Sequence, residues 1–171
     1  SARKAPDLFV AVADQVARLR GHVSAAWVGG PLDGPMATML RRDLAEVALD
    51  PPIDLPGDVA APHDWLPAAG VVVHVAREDP APLVVLEAAQ HAVPVVTWAG
   101  TGASDLAVAA GRPDLTIAPG DVAAMARRVV TLLGDATDRA SAGRAMAIAA
   151  QQRTTERVAP RLHSAIVGGT P

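Results

Sequence analysis

Two acidic residues, Asp79 and Glu87, stand eight positions apart around a run of prolines and aliphatics, in "REDPAPLVVLEAAQHAVPVV" (77 to 96). The preceding "VVVHV" has the pattern of a buried strand, and the residues from Pro82 onward have that of a helix. A helix start carries unsatisfied N–H groups and a partial positive charge, so it attracts an anion such as phosphate. Asp79 falls just before that start and Glu87 about one and a half turns inside it. Carboxylates so placed can accept hydrogen bonds from the sugar or ribose hydroxyls of a ligand whose phosphates face the helix. The spacing also fits a plainer use, in which Glu78 and Asp79 complement the helix dipole and Glu87 is solvated.

Other segments carry related chemistry. In "TWAGTGASDL" (97 to 106) a strand runs into Gly100, Thr101 and Gly102, and a helix begins. Glycines there let backbone N–H groups approach a diphosphate, although a tight turn needs glycine in any case. "WVGG" (27 to 30) ends another strand in Gly29 and Gly30. Arg3 and Lys4 are cations ahead of the first helix and, taken alone, read as a solvated terminus. The five histidines show no metal-ligand spacing, and His74, in an apolar strand, reads as a buried, hydrogen-bonded core residue. No Walker loop, GxGxxG or Ser-His-Asp set is present.

Alternating elements must position these residues. Helical periodicity covers 7 to 20 (Leu8, Val12, Val16 and Leu19 inward) and 35 to 49 (Met36, Met39, Leu40, Leu44 and Val47 inward). It recurs at 62 to 69, at 82 to 92 with Pro82 first, and at 102 to 110. Asp121 caps a further helix with Val122, Met125, Val129, Val130 and Leu133 inward. Two more helices are predicted at 136 to 151 and 155 to 167. Strands are predicted at 22 to 30, 52 to 57, 70 to 76, 93 to 99 and 115 to 118.

Alternation with short loops implies an α/β fold: a doubly wound, parallel, Rossmann-like sheet with helices on both faces. Ligands of such sheets bind beyond the carboxyl ends of the strands, where every candidate above falls. The chain enters a helix directly, whereas a doubly wound sheet usually opens with a central strand. That points to a fragment without its first strand. Two strand edges would then lack a neighbour, which favours self-association or a locally rearranged sheet.

The chain has 171 residues, enough for one domain with a real core. Net charge is −3 with scattered cations and few aromatics, which argues against nucleic acid as a partner. No apolar run reaches the roughly 18 residues of a membrane span, and no signal peptide opens the chain. Cysteine is absent, which excludes disulfides and thiolate metal sites, so a cytoplasmic location is expected.

"AREDPAPLVVLEAAQHAVPVVTWAGTGASDL", followed by "IAPGDVAAMARRVVTLL", resembles the carboxyl-terminal half of family-four retaining glycosyltransferases. The resemblance extends from "RKAPDLF" to "VAPRL", almost the whole chain. It implies one half of the glycosyltransferase-B architecture, in which two Rossmann-like domains face each other across a cleft. It also implies that residues 1 to 171 are a single donor-binding domain lacking the amino-terminal acceptor domain.

Carried over residue by residue, the resemblance implies that Asp79 faces the donor sugar and Glu87 the ribose. Pro82, Leu83 and Val84 would lie against the sugar and phosphates, Lys4 would bind the diphosphate, and Gly100 to Gly102 would form the turn beside the donor. Asp79 stands where the family usually has glutamate, Ala81 where phenylalanine is common, and Pro82 where glycine is common. The implied reaction is transfer of a sugar from a UDP- or GDP-type donor to an acceptor hydroxyl, with retention and without a bound metal or other cofactor. This chain alone would not turn over. A non-catalytic interaction or nucleotide-binding module that kept the fold is the alternative, and a stand-alone oxidoreductase is disfavoured by the missing dinucleotide fingerprint.

Overall fold

The structure, a computed structural model, describes residues 2–30, 33–47 and 49–153. The expected helix at 155–167 and the side chain of Met36 lie outside what is described. The chain runs α1 (Pro6–Arg20), β1 (Ala26–Val28), α2 (Gly34–Glu46), β2 (Asp54–Gly57), β3 (Val72–His74), α3 (Leu83–Gln90) and β4 (Val95–Trp98). It continues through α4 (Gly102–Ala109), β5 (Thr116–Ile117), α5 (Val122–Gly134) and α6 (Ala136–Gln151). Short 3-10 turns cover Ala2–Lys4, Pro62–Ala68 and Pro113–Leu115.

Local chemistry explains the helix limits. Pro6 opens α1, where its missing N–H is no loss, and Gly21, at φ 89°, closes it. Asp121 caps α5 by accepting from the Ala124 N–H at 2.8 Å. Asp135 caps α6 by accepting from Thr137 and Asp138, both at 2.9 Å.

All strand pairings are parallel. β3, β4 and β5 form one sheet in that order, with Val72 opposite Val95, His74 opposite Thr97 and Thr97 opposite Thr116. β1 and β2 form a second sheet. The expected α/β arrangement of parallel strands flanked by helices is present, but the sheet is divided. Among the described residues no strand bridges β1 and β3, and both border one cavity instead.

Val95 and Val96 of the middle strand are fully buried, each worth about 1.5–3 kcal/mol. α1 packs on α5, while α3 and α4 pack on α6. Gly143 lets α6 press on the loop after α3, because any side chain there would run into the Ala92 carbonyl. A smaller cluster of Val10, Ala13 and Ile53 lies apart from the main core.

Two expected core residues face water. Leu19 is 54% exposed because the last turn of α1, Arg18 to Arg20, is exposed as a whole. Met39 is 60% exposed because the inward stripe of α2 runs through Ala37, Leu40 and Leu44. No helix among the described residues is long and apolar enough to cross a membrane.

An ion network ties α5 and α6 to the turn before β5. Arg112 donates to Asp114 at 2.9 and 2.8 Å and to Asp138 at 2.7 Å. Arg128 donates to the same acids at 2.5 and 2.8 Å. The Arg128 hydrogen bond holds the Asp138 carboxyl below its usual range, against the pull of burial. Asp138→Ala would leave two largely buried guanidinium groups short of an acceptor. The expected cost is about 1–3 kcal/mol, read as a lower urea midpoint with an unchanged slope.

Candidate functional site

Parallel pairing brings the carboxyl ends of β3 and β4 to one edge. The loop after β3 leads through Asp79 into α3, and the turn after β4 leads through Gly100 and Thr101 into α4. The two segments touch. A side chain at Gly102 would collide with the Pro80 carbonyl, so glycine is required there for close approach. Gly100 adopts φ 76°, in the left-handed region.

Thr101 accepts from the Ser104 N–H at 3.3 Å, and its own N–H donates to Ser104 Oγ at 3.1 Å. This reciprocal cap already uses part of the turn's donor set. The Gly29–Gly30 pair is similarly engaged. Gly29 N–H donates to the Gly57 carbonyl at 2.8 Å and Gly30 N–H to Asp58 Oδ1 at 2.7 Å.

Asp79 gathers two partners. Lys4 Nζ lies 2.5 Å from Asp79 Oδ2, and His74 Nε2 lies 3.4 Å from the same oxygen. Lys4 reaches it because the Ala2–Lys4 turn packs at the end of β3, where Arg77 N–H donates to the Arg3 carbonyl at 2.8 Å. The Arg77 guanidinium also grips Asp7 at 3.1 and 2.5 Å. Burial works to raise the Asp79 carboxyl, but the hydrogen bonds from Lys4 and His74 prevail and hold it below its usual range. Burial depresses the His74 imidazole, only partly offset by Asp79.

Between β1 and β3 lies a cavity of about 960 Å³. Lys4, Gly29, Gly30, His74, Val84 and Glu87 line it, so five of the sequence-predicted residues share one space. Val84 and Glu87, one turn apart on α3, face it together. Asp79 joins this group through Lys4 and His74. Leu83 points elsewhere and is 71% exposed. Pro82 is buried and caps α3 at ψ 112° instead of forming its first residue. Gly102 lies against Pro80, and Gly100 to Gly102 do not line the cavity. Among the described residues no cluster of three or more His, Asp or Glu is arranged to hold a metal.

Sequence reasoning missed two features here, the His74–Asp79 contact and the Arg77–Asp7 pair. Arginine at the end of the strand was the one available signal for the second. The first joins residues five apart across a loop, a geometry that no periodicity encodes.

The family model for glycosyl transferases group 1 matches residues 1–135. Among curated proteins, none matches this chain. Several solved structures share the fold. HepE from Anabaena in complex with UDP-glucose aligns at TM-score 0.82 and 23% identity, over 98% of this chain and 46% of that one. A TarM mutant from S. aureus, solved with Fondaparinux, alpha-GlcNAc-glycerol and UDP, aligns at 0.81 and 20%, over 94% and 32%. Sucrose-phosphate synthase from Thermosynechococcus elongatus aligns at 0.79 and 19%, over 99% and 44%. The chain therefore spans less than half the length of each of these structures.

Two outcomes follow from the geometry. Gly102→Ala should cost about 1–3 kcal/mol, because the added methyl meets backbone and not a movable side chain; thermal unfolding measures it. Stability should also depend on pH in two steps. The folded chain holds His74 below 6.5 and Asp79 below 3.8, so the unfolded chain takes up protons first. Stability is full above 6.5, begins to fall as pH drops below that value, and falls further below 3.8, where Asp7, Asp114 and Asp138 add to the loss. Calorimetric scans should show the first step in the wild type and its absence in His74→Leu.

Proposed function

Since the chain belongs to the glycosyl transferases group 1 family, we propose that it is the donor-nucleotide-binding domain of a retaining glycosyltransferase. The donor is an NDP-sugar of UDP or GDP type, and the sugar, of hexosyl class, passes to an acceptor hydroxyl. One observation carries this reading: Lys4 and Glu87 line a single cavity beside the carboxyl end of β3, with Asp79 hydrogen-bonded to Lys4. A cation and a ribose-binding acid in one space suit a nucleoside diphosphate. The structures of HepE, in complex with UDP and with UDP-glucose, support the donor class.

In this reading Glu87 accepts hydrogen bonds from the ribose, and Asp79 accepts from the donor sugar. Lys4 donates to the diphosphate while keeping one N–H on Asp79, since an ammonium group has three donors. As the glycosidic bond breaks, negative charge develops on the departing diphosphate. Lys4 and the start of α3 stabilise that charge more than they stabilise the bound donor, which is the condition for catalysis. Pro82 holds the entry of α3, and Val84 presents an apolar wall.

The acceptor belongs to an amino-terminal domain beyond this chain, so residues 1 to 171 bind donor without turnover. The edges of β1 and β3, with no strand between them among the described residues, support one further parallel strand across the apolar part of the cavity in the intact domain, with the end at Lys4, Gly29, Gly30 and Glu87 left for the ligand.

Calorimetric titration with UDP, GDP and ADP tests the reading. One nucleotide should bind, and Glu87→Ala should weaken it at least tenfold, the value of a lost hydrogen bond to a charged group, about 1.5–3 kcal/mol. Affinity unchanged in Glu87→Ala would favour a non-catalytic module. Absence of binding to all three, persisting after an apolar strand is joined ahead of Ser1, would overturn the reading.

A further inference from the structure

Three polar side chains are buried among the described residues, His74, Thr97 and Ser104, and all three lie along one line of close polar contacts. The path starts at Asp79 Oδ2, 3.4 Å from His74 Nε2. It crosses the ring to Nδ1, which lies 3.3 Å from Thr97 Oγ1 on the neighbouring strand. Thr97 Oγ1 is 3.4 Å from Thr101 Oγ1, and Thr101 shares its cap with Ser104. The acid of the β3–α3 loop thus stands at one end of a line of polar contacts that reaches the turn that opens α4.

Packing alone does not call for this arrangement. Position 74 is 6% exposed within "VVVHV", where an aliphatic side chain would bury more cheaply. The hydrogen bonds assign the proton. A carboxylate only accepts, so Nε2 carries the hydrogen that faces Asp79, and Nδ1 of the neutral ring is an acceptor. Thr97 must then donate to Nδ1. Thr101 donates its own hydroxyl hydrogen to the Trp98 carbonyl at 2.9 Å. Every hydrogen then has one place to go, none of them between Thr97 and Thr101, so in the neutral state of His74 the hydrogen-bonded path from Asp79 ends at Thr97.

We propose that His74 is a positioning residue that orients the Asp79 carboxylate and is itself held in place by Thr97 of the neighbouring strand. This rests on the reading that Asp79 meets the donor sugar. Lys4 holds the same carboxylate oxygen from the solvent side, where its own side chain is half exposed, while His74 holds it from the core. While Lys4 shares its donors between Asp79 and a diphosphate, His74 keeps Asp79 in place. The charged groups that face His74 are Asp79 and Lys4. Protonation at Nδ1 would turn that nitrogen from acceptor to donor and force the Thr97 hydrogen toward Thr101. The neutral ring, a state that burial favours, is therefore the one in which Thr97 donates to His74 and His74 donates to Asp79.

The test uses the whole chain and two readouts. The first is carbon-13 titration of the Asp79 carboxyl in the wild type, His74→Leu and His74→Gln. His74→Leu should move the Asp79 titration upward, since one of its two hydrogen bonds is lost. His74→Gln should restore it, because an amide can donate to Asp79 and accept from Thr97. A side chain that merely fills space would leave the Asp79 titration where it is, and that outcome overturns the proposal. Nitrogen-15 shifts of wild-type His74 give a check that needs no variant: the Nε2–H form is expected, and the Nδ1–H form overturns the assignment.

The second readout is calorimetry with UDP and with UDP-glucose. His74→Leu should weaken UDP-glucose about tenfold and leave UDP within about twofold, with recovery in His74→Gln. Equal weakening of both ligands overturns a role at the sugar. If neither ligand binds the wild type or the chain with an apolar strand joined ahead of Ser1, the donor reading fails, and the Asp79 titration still decides whether His74 orients the acid.

Discussion

The clasp between the start of the chain and the loop after β3 is the contact on which the site depends. Lys4 meets Asp79, Asp7 meets Arg77, and the Arg77 N–H meets the Arg3 carbonyl. Each exposed ion pair is worth about 0–1 kcal/mol by itself. Their joint effect is positional, because the backbone bond fixes the register and the two ion pairs add to it side by side. α1, which packs on α5, is thereby tied to the loop that carries the candidate acid. Without the clasp, Lys4 and Asp79 would belong to separate segments with no defined distance.

A second constraint acts through the strands. Parallel pairing sends every chain crossing around the sheet and gathers the strand ends on one side. β3 and β4 therefore deliver Asp79 and the Gly100–Gly102 turn to the same place, and Gly102 lets them close up. The division into two sheets has the opposite effect. It opens the space that Lys4, Glu87 and the Gly29–Gly30 pair share. One side of the site is tight and hydrogen-bonded, and the other is roomy and mostly apolar.

This division organises the electrostatics. Asp79 is stabilised as a carboxylate from two directions, by a solvent-facing ammonium and a buried imidazole. Its charge is therefore defined before any ligand arrives. The other strong ion network, around Arg112 and Arg128, lies among the turn before β5, α5 and α6. It braces the helices and contributes no residue to the cavity.

Much of this protein was legible in its sequence. Helical and strand periodicity placed the described elements in order, because burial of one face imposes the repeat. The acid spacing, the glycine turns and Lys4 marked the site, because helix starts and strand ends have local signatures. The pairing of Lys4 with Asp79 was decided only in three dimensions, since 75 residues separate them and side-chain reach depends on where the Ala2–Lys4 turn docks. So was the role of His74. A histidine in an apolar strand looks like a core residue until the neighbouring strand supplies Thr97 and the following loop supplies Asp79. The sequence by itself determined which residues could act and on which elements they stand, because those facts follow from local chemistry and periodicity. Only the tertiary structure decided which of them meet, because contacts across strands depend on register and loop paths that no local pattern specifies.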